Sequence, residues 1–472
     1  MTAITLLLLD FTGVVHHYLG WVARLQFMPA LLSLNVLVLL TLVLLTLVFG
    51  RVYCSVICPL GIMQDMVSSL RRKKHRFRYN KAVTWLRRFM VAVMVVAFVA
   101  GIGSLVALLD PYGNYGRIAT NLLQPLWLAG NNVLASIAAH YESYSFYSVD
   151  VWVKSVPTLI VAMVVFVLVA TLAWRSGRTY CNTICPVGTV LGQLARLSWL
   201  KIRIDTDKCI SCGLCARDCK ASCIDSKNHA IDYSRCVTCG NCLSSCNHGA
   251  LRYGTSVAAT DKPVNEARRA ALVGAAIVAA DVAFAQTGKK LDGGLAVIEN
   301  KKQPKRRVPL TPPGSLGASN MASHCTACQL CVAACPNGVL RPSDGLLTLM
   351  QPTMSYERGY CRPECNRCSQ VCPNGAIKPI SHADKSVTHI GQAVWIKQNC
   401  VVLADGVSCG NCARHCPAEA IMMLPLDPND NLSPMVPHVD VSRCIGCGAC
   451  EYVCPARPFS AIYVEGLEVH HV

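Results

Sequence analysis

Six runs of four cysteines at near-constant spacing constrain this chain of 472 residues more tightly than any other feature. Cys209, Cys212, Cys215 and Cys219 form the first, and Cys236, Cys239, Cys242 and Cys246 the second. Cys325, Cys328, Cys331 and Cys335, and near the end Cys444, Cys447, Cys450 and Cys454, repeat the same C-x2-C-x2-C-x3-C pattern. Two further runs keep its second half and stretch its first gap: Cys361, Cys365, Cys368, Cys372 by one residue, and Cys400, Cys409, Cys412, Cys416 to eight intervening residues. With 29 cysteines the chain carries far more than an ordinary intracellular enzyme, yet it is much too long for a small disulfide-stapled secreted scaffold. Metal clusters are the remaining explanation.

The spacing is that of bacterial ferredoxins, in which a short loop wraps three thiolates around one [4Fe-4S] cubane and the fourth cysteine ligates the neighbouring cluster. That exchange pairs Cys209, Cys212, Cys215 with Cys246, and Cys236, Cys239, Cys242 with Cys219. It pairs Cys325, Cys328, Cys331 with Cys372, and Cys361, Cys365, Cys368 with Cys335. The last two sets are Cys400, Cys409, Cys412 with Cys454, and Cys444, Cys447, Cys450 with Cys416. Insertions between the first two ligands change the turn without removing a thiolate. Lys220 and Asn247 stand where proline usually follows the fourth cysteine, and Cys223 lies at a C-x3-C spacing from Cys219 that makes it an alternative remote ligand. Structural zinc and disulfides are the competing uses of such runs. Six clusters account for 24 cysteines and predict α+β bacterial-type 4Fe-4S ferredoxin domains.

Hydrophobic residues make up 53% of the chain and charged ones 15%, below the ~25% of soluble domains, so membrane spans are expected. Leu31–Phe49, Phe89–Leu109 and Val156–Trp174 are uncharged and long enough to cross a bilayer. Thr2–Leu9 is apolar but cut short by Asp10. Ten basic residues stand between the first two spans, from Arg51 through Arg71, Arg72, Lys73 and Lys74 to Arg88, whereas 110–155 holds only Arg117 and Lys154. The positive-inside rule places the basic loop in the cytoplasm and 110–155 outside.

The segment Gly50–Gly61, GRVYCSVICPLG, matches Gly177–Gly188, GRTYCNTICPVG, at eight of twelve positions. Each copy follows a span running inward, so the fold expected for this part is a membrane α-helical bundle with a parallel internal repeat. Cys54, Cys58, Cys181 and Cys185 of the two C-x3-C-P loops have three open roles: ligands of a seventh cubane, two redox-active dithiols, or small buried hydrophobes. A fourth apolar segment, Ala270–Ala285, follows Arg268-Arg269 and ends in Ala283-Phe284-Ala285, the layout of a twin-arginine export signal inside the chain; an ordinary helix is the alternative. The expected organisation is a transmembrane domain over 1–200, a di-cluster ferredoxin domain over 201–258, the arginine-led segment over 259–288, a linker over 289–320 and a four-cluster domain over 321–472.

The formal charge of +17 would suggest nucleic acid or anionic lipid as a partner. Twenty-four thiolates around six cores of roughly +2 each contribute about −2 per site and lower the total to about +5. Nucleic acid is then not needed, while the juxtamembrane basic loop suits lipid.

The duplicated Gly-Arg-x-Tyr-Cys-x3-Cys-Pro loop followed by a ferredoxin pair resembles the NapH and NosR type of membrane polyferredoxin. Residues 265–472 resemble the NapG and MauM type of periplasmic ferredoxin. The resemblance implies an inner-membrane, multi-pass protein with its C-terminal domain in the periplasm. It also implies electron relay from the quinol pool to a periplasmic oxidoreductase or cytochrome, as in a nitrate-reductase system. Clusters shuttle single electrons and bind no organic substrate, and no catalytic constellation or nucleotide fingerprint competes. An accessory maturation or redox-sensing factor, or a component of a ferredoxin:quinone oxidoreductase, are the other functions weighed. His16 and His17 read as interfacial anchors before quinone ligands, and Asp110 and Arg117 as residues that order a loop.

Overall fold

The structure is a computed structural model and describes residues 1–70, 77–143, 145–255, 300–430 and 432–471. Arg268, Arg269 and Ala270–Ala285 lie outside the described residues, as do 71–76 of the basic loop.

Of the three expected spans, one is a single helix. Val156–Ser176 runs 21 residues, is capped by the Ser155 hydroxyl and starts with proline in its first turn. Among the described residues it is the one helix long and apolar enough to cross a membrane. The stretch 31–49 divides at Leu34, whose φ of 53° is left-handed, and restarts at Asn35, whose side chain accepts from the Val38 N–H to open helix Val36–Phe49. The stretch 89–109 divides likewise. Helix Thr84–Val99 ends where Gly101 takes φ 70° and the Ile102 N–H returns to the Ala97 carbonyl, a glycine C-cap, and Gly103–Leu109 follows. Apolarity predicted the length of these stretches; capping residues decided where the helices stop.

The segment 110–155, expected as an outer loop, is mostly helical. The Asp110 carboxylate accepts from the Tyr112 and Gly113 amides to cap Pro111–Ile118, which continues through a π-turn, Ala119–Leu123, into Gln124–His140. Every residue of Pro111–Ile118 is buried. Helices Val156–Ser176 and Pro59–Ser69 cover part of it and the C-terminal ferredoxin domain another: the Gly113 and Gly116 Cα atoms face the carbonyls of Thr326 and Cys328, where any Cβ would clash.

The ferredoxin parts are built from short antiparallel strand pairs and one-turn helices. Lys201–Ile204 pairs with Leu251–Gly254, Leu340–Pro342 with Pro352–Met354, Ile421–Pro425 with Met435–Val439, and His389–Trp395 with Ile462–His471. Such small elements each bury little apolar surface, and cysteines pack into the core beside the aliphatic side chains. Residues 300–320, expected as linker, pack against this domain. Arg306 forms a buried ion pair with Glu451 (2.6 Å), and Leu310, Thr311 and Ser315 are buried. Prolines and lysines make that stretch look like a linker in sequence, but its basic side chains answer buried acceptors: Lys301 Nζ donates to the carbonyls of Glu451, Tyr452 and Cys454.

Candidate iron-sulfur sites

The third cysteine of every run sits on a single helical turn: Leu214–Arg217, Asn241–Ser244, Leu330–Ala334, Arg367–Val371, Asn411–Arg414 and Ala449–Val453. In the four regularly spaced runs the residues flanking the second cysteine are both left-handed: Ser211 and Gly213, Thr238 and Gly240, Ala327 and Gln329, Gly446 and Gly448. Two such reversals curl the loop so that its thiols and several amides face one point, a concavity suited to an anionic group. The two stretched runs reach the same helical turn through Asn366 at φ −120° and Gly410 at φ −166°. Their longer first gaps replace the tight reversals.

The structure brings the cysteines together in the exchanged sets. Cys209, Cys212, Cys215 and Cys246 line one cavity, Cys335, Cys361, Cys365 and Cys368 a second, and Cys400, Cys409, Cys412 and Cys454 a third. Cys242 neighbours Cys236, Cys219 and Cys239; Cys331 neighbours Cys328, Cys325 and Cys372; Cys450 neighbours Cys447, Cys444 and Cys416. All 29 cysteines are free of disulfides. Among the described residues no three ligand side chains close on a point that would hold a single metal ion.

Burial pushes up Cys412 to about 11 and both Cys328 and Cys447 to about 12, and raises Cys215, Cys325, Cys331, Cys368 and Cys450 likewise, so such thiols facing one cavity resist ionising together. A cationic core supplies the missing compensation and displaces the protons, which is the donor chemistry a cubane requires. Cys219 differs. The Cys223 thiol beside it, with the amides of Cys223, Ala221 and Ser222, holds it down at about 6 in spite of burial.

The duplicated loops meet. Cys54, Cys58, Cys181 and Cys185 are all buried, Cys58 beside Cys181 and Cys54, and Cys185 beside Cys181, Cys58 and Cys54. Their surroundings are reciprocal. Gly50 and Gly177 turn the chain at φ 79° and 66°, and Cys58 and Cys185 are the N-caps of Pro59–Ser69 and Pro186–Ala195. Arg51 Nη2 donates to the Cys181 carbonyl, and Arg178 Nη1 to the Cys54 carbonyl. Gly61 and Gly188 leave room for those guanidinium groups. Two helix N-termini thus aim their dipoles at one cluster of thiols. Arg178 is neutralised by Asp65 (2.6 Å). Arg51 meets Asn182 Oδ1, the Ser234 and Cys181 carbonyls and Cys54 Sγ (3.7 Å), of which only the sulfur can carry a charge. An anionic tetrathiolate cubane would fit that buried cation.

This four-cysteine site lies between the two ferredoxin parts. On one side Arg51 spans from Cys54 to the Ser234 carbonyl, two residues before Cys236. On the other, Asn114 Nδ2 donates to the Tyr180 hydroxyl (3.2 Å), Arg117 donates to Asn114 Oδ1 (2.6 Å), and Arg117 also reaches the Thr326 and Ala327 carbonyls between Cys325 and Cys328. Further along, Cys331 neighbours Cys368, and the Cys361 amide donates to the Cys447 carbonyl (2.9 Å). Sequence reasoning named Asp110 and Arg117 as loop-ordering residues, and their hydrogen bonds have that form. It missed Thr120 and Asn121, which both bond Gln329 Oε1 across the interface. His16 and His17 lie on the short helix Val14–Leu19, where the Asp10 carboxylate accepts from the His16 amide.

The sequence profile of a 4Fe-4S binding domain matches residues 32–78 and 156–205, one match around each C-x3-C-P loop. Profiles of 4Fe-4S dicluster domains match 232–339, 324–377 and 407–457. The methylamine utilization ferredoxin-type protein MauM of Methylobacillus flagellatus is 32% identical over 169 residues, 34% of this chain and 70% of that protein. The ferredoxin-type protein NapF of Escherichia coli is 31% identical over 182 residues, 38% of this chain and 99% of NapF. The chain belongs to the ferredoxin-type 4Fe-4S proteins related to MauM and NapF. This ferredoxin-type protein is also similar to the putative electron transport protein YccM of E. coli, 25% identical over 198 residues, and spans about half of YccM's length. No solved structure matches it. As an iron-sulfur electron-transfer protein, it carries several 4Fe-4S binding domains on one chain.

Proposed function

We propose that the protein is a membrane-anchored wire that carries electrons from the quinol pool to a periplasmic reductase or cytochrome through six ferredoxin cubanes and a seventh held by Cys54, Cys58, Cys181 and Cys185. The observation that carries this reading is that the two ferredoxin parts dock at opposite ends of helix Val156–Ser176. At its start Lys154 donates to the Val332 carbonyl and Ser155 to Asp344; beyond its end the Arg178 amide donates to the Lys220 carbonyl. At 1.5 Å per residue its 21 residues span roughly 31 Å, the thickness of a bilayer core. This helix and those around it leave large apolar side chains in the open, among them Leu37, Leu44, Trp85, Val96, Val133, Ile137, Val164 and Val167. A belt of that extent is costly in water and natural in lipid.

The reading implies a multi-pass inner-membrane protein with Cys209–Cys246 in the cytoplasm and 300–471 in the periplasm. Epitopes inserted at Asn228 and at Leu432, both exposed loop positions, test it. In intact spheroplasts the Leu432 tag is expected to bind antibody and the Asn228 tag to bind only after lysis. Protection of both would discard the periplasmic acceptor in favour of a ferredoxin:quinone oxidoreductase. Reduction of the purified clusters by a quinol, with and without candidate reductases, tests the donor.

A further inference from the structure

Cys223 is the one cysteine left over by six ferredoxin sets and the duplicated loops, and it is not idle. It is 1% exposed, its sulfur lies 3.5 Å from Cys219 Sγ, and Cys236 is its other thiol neighbour. Thiolates bound to different irons of one cubane stand farther apart than a sulfur–sulfur contact. Sulfurs 3.5 Å apart, as those of Cys219 and Cys223 are, are therefore not two corners of one set. Cys239 and Cys242 both neighbour Cys219 and Cys236, which completes four ligands without Cys223.

We infer that Cys223 is a positioning residue for the cluster of Cys219, Cys236, Cys239 and Cys242, a thiol that donates its S–H to the Cys219 ligand sulfur and thereby raises that cluster's reduction potential. The inference rests on these four cysteines forming a 4Fe-4S site. A ligand sulfur carries no proton, so Cys223 is the donor in the contact. Hydrogen bonds to cluster sulfurs draw off negative charge and favour the reduced state. The loop is held on both flanks. The Lys220 carbonyl accepts from the Arg178 amide, the Ala221 carbonyl from Asn182 Nδ2 (3.2 Å), and the Cys223 carbonyl from the Asp232 amide. Arg178 and Asn182 flank Cys181, so the tuned cluster is the one that faces the four-cysteine site. A raised potential there makes it a place where an electron waits before or after crossing.

The test uses the full-length holoprotein, purified anaerobically, with iron analysis and a spectroscopically monitored redox titration. Cys236→Ala identifies the signal of this cluster by removing it. Cys223→Ala is expected to keep the parental iron content and move that same signal to a more negative potential. Cys223→Ser, whose hydroxyl can still donate, is expected to stay near the parental value. Cys223→Val fills the space without a donor, should behave as the alanine variant does, and stands in for it if alanine does not fold. Loss of about four irons in Cys223→Ala or Cys223→Val would make Cys223 a ligand, and an unshifted potential would make it a packing residue; either overturns the inference. Failure of the underlying site is seen separately, as absence of the Cys236-dependent signal from the parent.

Discussion

Arg51, Arg117 and Arg178 are among the largest fully buried side chains of the described residues, and each gives at least one donor to a backbone carbonyl of another part of the chain. A buried guanidinium is tolerated where its charge is answered, by the Asp65 carboxylate for Arg178 and by the Cys54 sulfur for Arg51. If the four loop cysteines hold one cubane, Cys58→Ala and Cys185→Ala should each remove the same spectroscopic species and about four irons, leaving the ferredoxin signals in place. Two independent dithiols would instead leave the iron content unchanged and alter only thiol labelling. A second residue-scale expectation concerns Arg306, whose Nη2 contacts both oxygens of Glu451 at 2.6 and 2.7 Å. Arg306→Ala strands a buried carboxylate and should destabilise the C-terminal domain by about 3–5 kcal/mol, read as earlier loss of cluster absorbance in denaturant at unchanged starting iron content.

At the scale of elements, the helical segment Pro111–Ile118 does the joining. Its glycines permit backbone-to-backbone docking: a Cβ on Gly116 would stand 2.3 Å from the Cys328 carbonyl oxygen. Gly116→Ala should therefore lift the first C-terminal cluster loop off the helical domain at a cost of about 1–3 kcal/mol. It should slow electron transfer from the 201–254 clusters to the C-terminal ones, measured by stopped-flow reduction, while iron content holds. Gly130→Ala is the matched control. Nothing lies within 4 Å of a Cβ there, on helix Gln124–His140, so docking and transfer rates should be those of the parent.

For the whole molecule, six ferredoxin sites predict about 24 iron and 24 sulfide per chain, and the seventh site about 28 of each. Elemental analysis of an anaerobic preparation decides between them, and eight irons or fewer at full occupancy would end the six-cluster reading. Cysteines are also part of the ferredoxin core, which strands of two to ten residues assemble only in small pieces. Stripping iron with an oxidant and chelator should therefore unfold residues 300–471, seen as loss of protease resistance, because the metal supplies folding energy that so small an apolar core does not.

Much of the cluster chemistry was legible in sequence because it is local. A C-x2-C-x2-C loop holds three thiols within one turn of chain, and Ser211, Gly213, Thr238 and Gly240 take the left-handed turns that such spacing demands. The repeat of Gly50–Gly61 at Gly177–Gly188 announced two equivalent loops for the same reason. Whether those loops would meet, and that each would lend an arginine to the other's carbonyl, depended on packing between segments more than a hundred residues apart, which periodicity does not encode. Apolar runs at 31–49 and 89–109 gave length without breaks, since Leu34, Asn35 and Gly101 are single residues inside long hydrophobic signals. The pinning of 300–320 onto the last domain, the docking of Gly113 and Gly116 against a cluster loop, and the contact of the Cys223 and Cys219 sulfurs came only from tertiary structure. Each is a contact in which a carbonyl, a missing Cβ or a thiol matters by its position in space, and residue identity along the chain carries no trace of that.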